Sequence, residues 1–150
     1  MTNRPSKQYQ RGQTILLEGE PGDCSYRILS GEVVICKQSV DGAQVPIARL
    51  REGEMFGEMY LFEQAMSRTA SAIAFSAEVT LEVLGRDEMQ SWLSQLSPRI
   101  QSIVQSMSKR LQKISGKYTH TLTVQKAKKA AAQGPDTSSD TYIHRQPTEL

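Results

Sequence analysis

Seven of the ten glycines in this 150-residue chain fall between Gly12 and Gly57, and that spacing restricts the front half to short elements joined by turns. Glycine costs about 1 kcal/mol relative to alanine inside a helix, so a helix of ordinary length does not fit there. The stretches between the glycines read as strands instead. Thr14 to Leu17 is short and apolar, and Glu18-Gly19-Glu20-Pro21-Gly22-Asp23 is dense in turn formers. Ser25 to Leu29 alternates, Ser30-Gly31 turns it back, and Glu32 to Lys37 sets Val33 and Ile35 on one side with Val34 and Cys36 on the other. Asp41-Gly42 is a hairpin signal that leads into Gln44 to Leu50, where Pro46 lacks an amide donor and belongs at an edge or bulge. Thr69 to Phe75 and Glu78 to Leu84 alternate again. The pattern predicts a mainly β fold, an antiparallel roll or barrel of the jelly-roll kind, lined by Val33, Ile35, Ile47, Ile73, Val79, Leu81 and Val83.

Inside this region, Gly53 to Ala72 carries the chemistry. It sets a Gly-Glu step and an Arg-Thr-Ala step on either side of a short segment with helical spacing at Met59 and Phe62. Amides at a helix start point outward unpaired and carry partial positive charge, which suits a phosphate. Arg68 would add a full charge and a forked donor, whereas Glu58 can only accept, as a sugar hydroxyl requires. Taken singly, Gly57-Glu58 is a turn with a solvated carboxylate and Arg68 a strand-end arginine paired with Glu63.

Phe56-Gly57-Glu58, Met59-Tyr60-Leu61 and Arg68-Thr69-Ala70 together closely resemble the phosphate-binding cassette of the cyclic nucleotide-binding domain, the family of bacterial catabolite activators, cyclic-nucleotide-dependent kinases and gated channels. The resemblance runs from about Gln10 to Ser115 and is nearest to the bacterial regulators. It implies a phosphate held by Arg68, Thr69 and the amides of Gly57, Glu58 and Ala70, with Glu58 on the ribose and Phe56 and Met59 in the cassette. It also implies that Arg110, before Leu111-Gln112, leans toward the cassette glutamate, and that Ile114 and Ser115 meet the base. In resembling regulators a Thr-Ser pair contacts adenine where Ile114-Ser115 stands here. Thr69 is similar to the residue of cyclic-GMP-selective kinases, but the resembling cyclic-AMP regulators often carry a Ser there whose hydroxyl does similar work, so it discriminates weakly. Cyclic AMP is the expected ligand, with cyclic GMP as the alternative.

After Asp87 the periodicity becomes helical. Asp87 with Gln90 forms a weak capping pattern for a helix to Leu93 or beyond, with Trp92 as a core anchor. Ser97-Pro98 starts a second helix, along which Ile100, Ile103, Val104, Met107, Leu111, Ile114 and Tyr118 form one apolar stripe. The stripe fits either packing on the roll or a heptad seam between two copies. Gly116 and the β-branched Thr119, Thr121, Thr123 and Val124 weaken continuation through Lys129. The expected organisation is a flexible segment over 1–10, a domain over 11–118 with the roll at 11–86 and helices at 87–118, and a basic then polar disordered tail over 119–150.

Charge is divided along the chain: residues 1–88 hold nine Lys or Arg against thirteen Asp or Glu, whereas Met89 to Pro135 hold eight basic residues and no acidic one. Such a block is a solvated helix face or a contact for an acidic partner. No apolar run is long enough to span a bilayer and the first ten residues are polar, which predicts a cytoplasmic chain without a membrane span. Cys24 and Cys36 read as reduced packing residues rather than metal ligands. His120 and His144 lie beyond the roll, so neither a metal site nor a Ser-His or Cys-His pair is expected, and the chain is read as a non-enzyme. Roughly thirty residues after the long helix are too few for the helix-turn-helix of the bacterial regulators, which argues against sequence-specific DNA binding. The expected function is therefore a cyclic-nucleotide sensor that signals through residues 98–130 to a second copy or another protein. The competing reading is a nucleotide-independent interaction scaffold.

Overall fold

The structure, a computed structural model, describes residues 4–62 and 67–132. Eight strands follow in chain order: β1 (Ser6–Gln10), β2 (Thr14–Leu16), β3 (Cys24–Ser30), β4 (Val33–Gln38), β5 (Gln44–Leu50), β6 (Met55–Phe56), β7 (Ser71–Ala74) and β8 (Glu78–Gly85). They form two antiparallel sheets of order β1-β8-β3-β6 and β2-β7-β4-β5, the expected roll. A short 3₁₀ helix, Glu58–Phe62, follows β6, and helices α1 (Arg86–Ser94) and α2 (Pro98–Ala132) complete the described chain.

Alternation places the core. On β8, Val79 and Leu81 are completely buried while Glu78 before them and Thr80 between them face the other way. Val79 and Leu81 share the core with Tyr26, Ile28 and Phe56 of their own sheet and with Leu16 and Val33 of the facing one, and Ile35 and Val83 are half-buried against it. Ile73 does not line this core. Its neighbours Ala72 and Ala74 do, and on a strand adjacent side chains take opposite faces. Pro46 lies on β5, the edge of its sheet, where a register shift opposite Ile35 and Cys36 absorbs the missing donor.

Three further expectations are corrected. Residues 6–10, read as flexible, form edge strand β1 along β8, and Arg4 before it pairs with Glu82 at 3.1 Å and Glu88 at 2.7 Å. An edge strand with one solvated face needs few apolar residues, which hid it in a polar sequence. Asp87 does not cap α1: the cap position is Gly85, without a side-chain bond, and Asp87 sits in the first turn, where the helix dipole favours an acid. Trp92 is 40% exposed beneath the Arg4 guanidinium, 5.5 Å away, rather than buried between layers.

Helix α2 begins as read, with Pro98 in the first turn and Ser97 Oγ accepting from the Ile100 amide at 3.4 Å. It continues to Ala132, well past Tyr118. Propagating an existing helix avoids the nucleation cost, and Lys126-Ala127-Lys128-Lys129-Ala130-Ala131-Ala132 is strongly helix-forming. The residues of the expected tail from 133 onward lie outside the described residues.

Candidate functional site: a cavity between the roll and the long helix

Strand β6 delivers the chain to the site. Phe56 is 3% exposed and stacks on Tyr26 with ring centroids 5.4 Å apart, which anchors the residue before the turn. Gly57 then takes φ = 79°, a conformation that favours glycine, and its carbonyl accepts from Arg68 Nη1 at 2.8 Å. A Cβ at Gly57 would lie 3.1 Å from that same nitrogen, and one at Gly22 would lie 2.6 Å from Arg68 Cζ. The two glycines thus make room for the guanidinium.

The loop that carries Arg68 is fixed by its backbone. The Arg68 amide donates to Glu20 O at 2.8 Å and its carbonyl accepts from Gly19 N at 2.9 Å. The side chain is 7% exposed, with Nη2 3.7 Å from Cys24 Sγ and Cζ 5.4 Å from the Tyr60 ring centroid. Among the described residues no carboxylate lies within salt-bridge distance of Arg68. Arg86 approaches the Tyr60 ring at 5.1 Å and donates to Gly22 O at 2.7 Å. Burial pushes the Tyr60 hydroxyl above its ordinary pKa. Burial likewise raises the Glu58 carboxyl above the usual carboxylate range, partly offset by its own amide and by the Arg68 charge.

These groups line a cavity of about 520 Å³, a size typical of small-molecule sites. Ile35, Ile47 and Leu50 form its apolar wall, Phe56 to Tyr60 and Arg68 to Ala72 its polar end, and Leu111, Ile114, Ser115 and Tyr118 of α2 its cover. Ser108, 5% exposed, donates through Oγ to Met59 Sδ at 3.5 Å and links α2 to the 3₁₀ helix.

Of the residues expected at the site, Phe56, Gly57, Glu58, Met59, Arg68, Thr69, Ala70, Ile114 and Ser115 all line the cavity. Arg110 does not. It lines a separate hollow with Ser102, Ile103, Ser106 and Met107, because two residues along a helix turn it about 200° from Ser108, which faces the roll. Sequence reasoning missed Lys37, Cys24, Tyr60 and Arg86 as neighbours of the site. Tyr60 sits inside the motif and could have been singled out, whereas the others are brought in by strand pairing. Cys24 was expected only to pack, yet its Sγ donates to Tyr26 Oη at 3.4 Å beside Arg68, while Cys36 is buried and its thiol is pushed up by burial.

A sequence model described as the cyclic nucleotide-binding domain matches residues 6–95. The chain is 32% identical over 105 residues to the CRP-like cAMP-activated global transcriptional regulator of Mycobacterium tuberculosis, covering 70% of this chain and 46% of that protein. It is 40% identical over 80 residues to the cAMP-dependent protein kinase regulatory subunit of Aspergillus fumigatus, covering 53% of this chain and 18% of that one. The chain therefore spans less than half the length of either relative. Among solved structures it is similar to the EAL enzyme Bd1971, with TM-score 0.67 and 30% identity to the cAMP-bound form over 86% of this chain and 34% of that one. For the cGMP-bound form the TM-score is 0.65 and the identity 32%, over 72% and 28%.

Proposed function

Because the chain belongs to the cyclic nucleotide-binding domain family, we propose that it is a regulatory sensor that binds a cyclic mononucleotide, without turnover, between its roll and α2. The observation that carries this reading is the buried Arg68 guanidinium, which faces a carbonyl and a thiol but, among the described residues, no carboxylate. A buried charge is costly unless paired, and a ligand phosphate pairs it. In this mode the phosphate lies against Arg68, Thr69 and the amides of Gly57, Glu58 and Ala70. Glu58 accepts from the ribose hydroxyl, which stabilises its carboxylate, and Ile114 and Ser115 meet the base.

Cyclic AMP is the proposed ligand, in keeping with the names of the two relatives. Cyclic GMP is the second reading, favoured by the Thr69 hydroxyl beside Arg68 and by the Bd1971 forms bound to either nucleotide. A ligand that touches both the roll and α2 stabilises the state in which they meet, so binding would draw the helix in. The output surface is the face of α2 over residues 98–130, read by a second copy or another protein.

Thermal melting with and without millimolar cyclic nucleotide tests the proposal. Ligand at about a hundred times its Kd adds about 2.7 kcal/mol of stability, a shift of several degrees in a domain of this size. No shift with any cyclic nucleotide would leave the scaffold reading in its place.

A further inference from the structure

Among the described residues, three charged side chains line the cavity: Glu58, Arg68 and Lys37. The binding mode above uses the first two. Lys37 stands on β4, which carries no part of the Gly-Glu or Arg-Thr-Ala motif, and its side chain is 16% exposed. Its Nζ donates to the backbone carbonyl of Thr69 at 2.5 Å and pairs with Glu18 Oε1 at 3.2 Å. Glu18 is itself fixed: Oε2 accepts from the Gln38 amide at 2.7 Å, and the Glu18 amide donates to Ser71 Oγ at 3.0 Å. One ammonium therefore ties the segment after β2, the end of β4 and the approach to β7.

The carbonyl matters because of the peptide to which it belongs. Thr69 C=O and Ala70 N–H are the two ends of one planar trans unit and point in opposite directions. Holding the oxygen fixes the plane and so the direction of the N–H, and a charged donor on the oxygen makes that N–H a stronger donor in turn. A lysine that only neutralised Glu18 would not direct a second donor at this carbonyl.

We propose that Lys37 is a positioning residue for the anion site, which orients and polarises the Ala70 amide through the Thr69–Ala70 peptide and so sets phosphate affinity without reading the base. The inference rests on the phosphate assignment made above. It separates affinity from selectivity, since a residue that acts on the phosphate limb affects every cyclic mononucleotide alike.

The test is calorimetric titration of cyclic AMP and cyclic GMP into wild type, Lys37→Met and Lys37→Arg, together with amide proton shifts of the ligand-free proteins. Lys37→Met should weaken both nucleotides by about tenfold, equivalent to about 1.4 kcal/mol, with their ratio unchanged. Lys37→Arg keeps a charged donor and should return affinity to within about threefold of wild type. Without ligand, Lys37→Met should move the Ala70 amide resonance while those of Val79 and Leu81 stay in place, which shows an intact core. Undiminished binding by Lys37→Met, a change of about fivefold or more in the nucleotide ratio, or no rescue by arginine overturns the proposal alone. A wild type that binds neither nucleotide overturns the phosphate assignment and takes this inference with it.

Discussion

Val33, Val79 and Leu81 in the roll are completely enclosed, whereas Met107, Leu111 and Ile114 on α2 each leave more than half of their surface exposed. The side chains are chemically alike, so the difference lies in what each element can bury on its own. Two sheets closed face to face cover each other. A single helix of 35 residues, about 50 Å long, turns one side inward around Val104, Ser108, Gln112 and Ser115, with Leu111 and Ile114 at the margin over the cavity, and leaves the rest uncovered. Full burial of one large apolar side chain is worth about 1.5 to 3 kcal/mol, so the outer stripe leaves several kcal/mol of stabilisation open to a partner. The roll carries Glu58 and Arg68 of the proposed phosphate and ribose contacts, and the helix carries an outer surface that nothing in the chain covers among the described residues.

The largest expected effect breaks the roll side of this contrast. Arg68→Ala should cost at least tenfold and up to several hundredfold in cyclic nucleotide affinity, since charge-assisted hydrogen bonds contribute about 1.5 to 3 kcal/mol each. Arg68→Lys should recover only part, because an ammonium cannot fork onto two oxygens. The ligand-free fold should survive, since the core cluster does not include Arg68. Titration with a far-ultraviolet circular dichroism control checks both halves, and wild-type affinity in Arg68→Ala would sink the cassette assignment.

The next effect breaks the helix side. Met107 lies on the outer stripe and does not line the cavity, whereas Leu111 belongs to both. Met107→Glu should therefore abolish self-association and leave nucleotide binding within about twofold, because an unpaired charge in an apolar seam is disfavoured by several kcal/mol. Leu111→Glu should impair both. Sedimentation at tens of micromolar reads the first property and calorimetry the second. Wild type that is monomeric with and without ligand would remove the dimer reading and leave the stripe to another protein.

These two regions also differ in how much of them could be read before the structure. Gly57 next to Glu58 and Arg68 next to Thr69 and Ala70 announce themselves, because a left-handed turn and a forked cation have few other uses side by side. The alternation in β8 likewise fixes which residues face inward. What escaped depends on distant partners. Ser6–Gln10 has no apolar pattern of its own and becomes a strand only against β8. The inward phase of β7 is set by pairing with β4, so two alanines rather than Ile73 face the core, and Ala72 keeps room for the cavity. Arg110 fits the family pattern by neighbours in sequence, yet helical rotation sends it to the other side of α2. Lys37 reaches Thr69 through the register of the sheet, for which no local spacing is a guide.

The smallest expected effect sharpens the comparison within the roll itself, by separating what stabilises the fold from what binds the ligand. Burial raises the Glu58 pKa above its unfolded value, against the smaller opposing pull of its own amide and Arg68. A carboxyl raised in this way contributes stability that is fully present below its unfolded pKa and is lost as pH rises through its folded one. Ligand-free wild type should therefore lose stability relative to Glu58→Gln as pH climbs from the acid range toward neutrality, since glutamine does not ionise. The same substitution replaces a charge-assisted acceptor for the ribose hydroxyl by a neutral one, so affinity should fall by about fivefold, roughly 1 kcal/mol. At neutral pH the variant should melt slightly higher than wild type without ligand yet gain less from a fixed concentration of cyclic AMP. Melting curves at several pH values, each with and without nucleotide, read both signs in one series. A Glu58→Gln variant that melts below wild type at neutral pH would show the carboxylate already favourably paired in the empty cavity, and its role as an acceptor awaiting the ribose would fall.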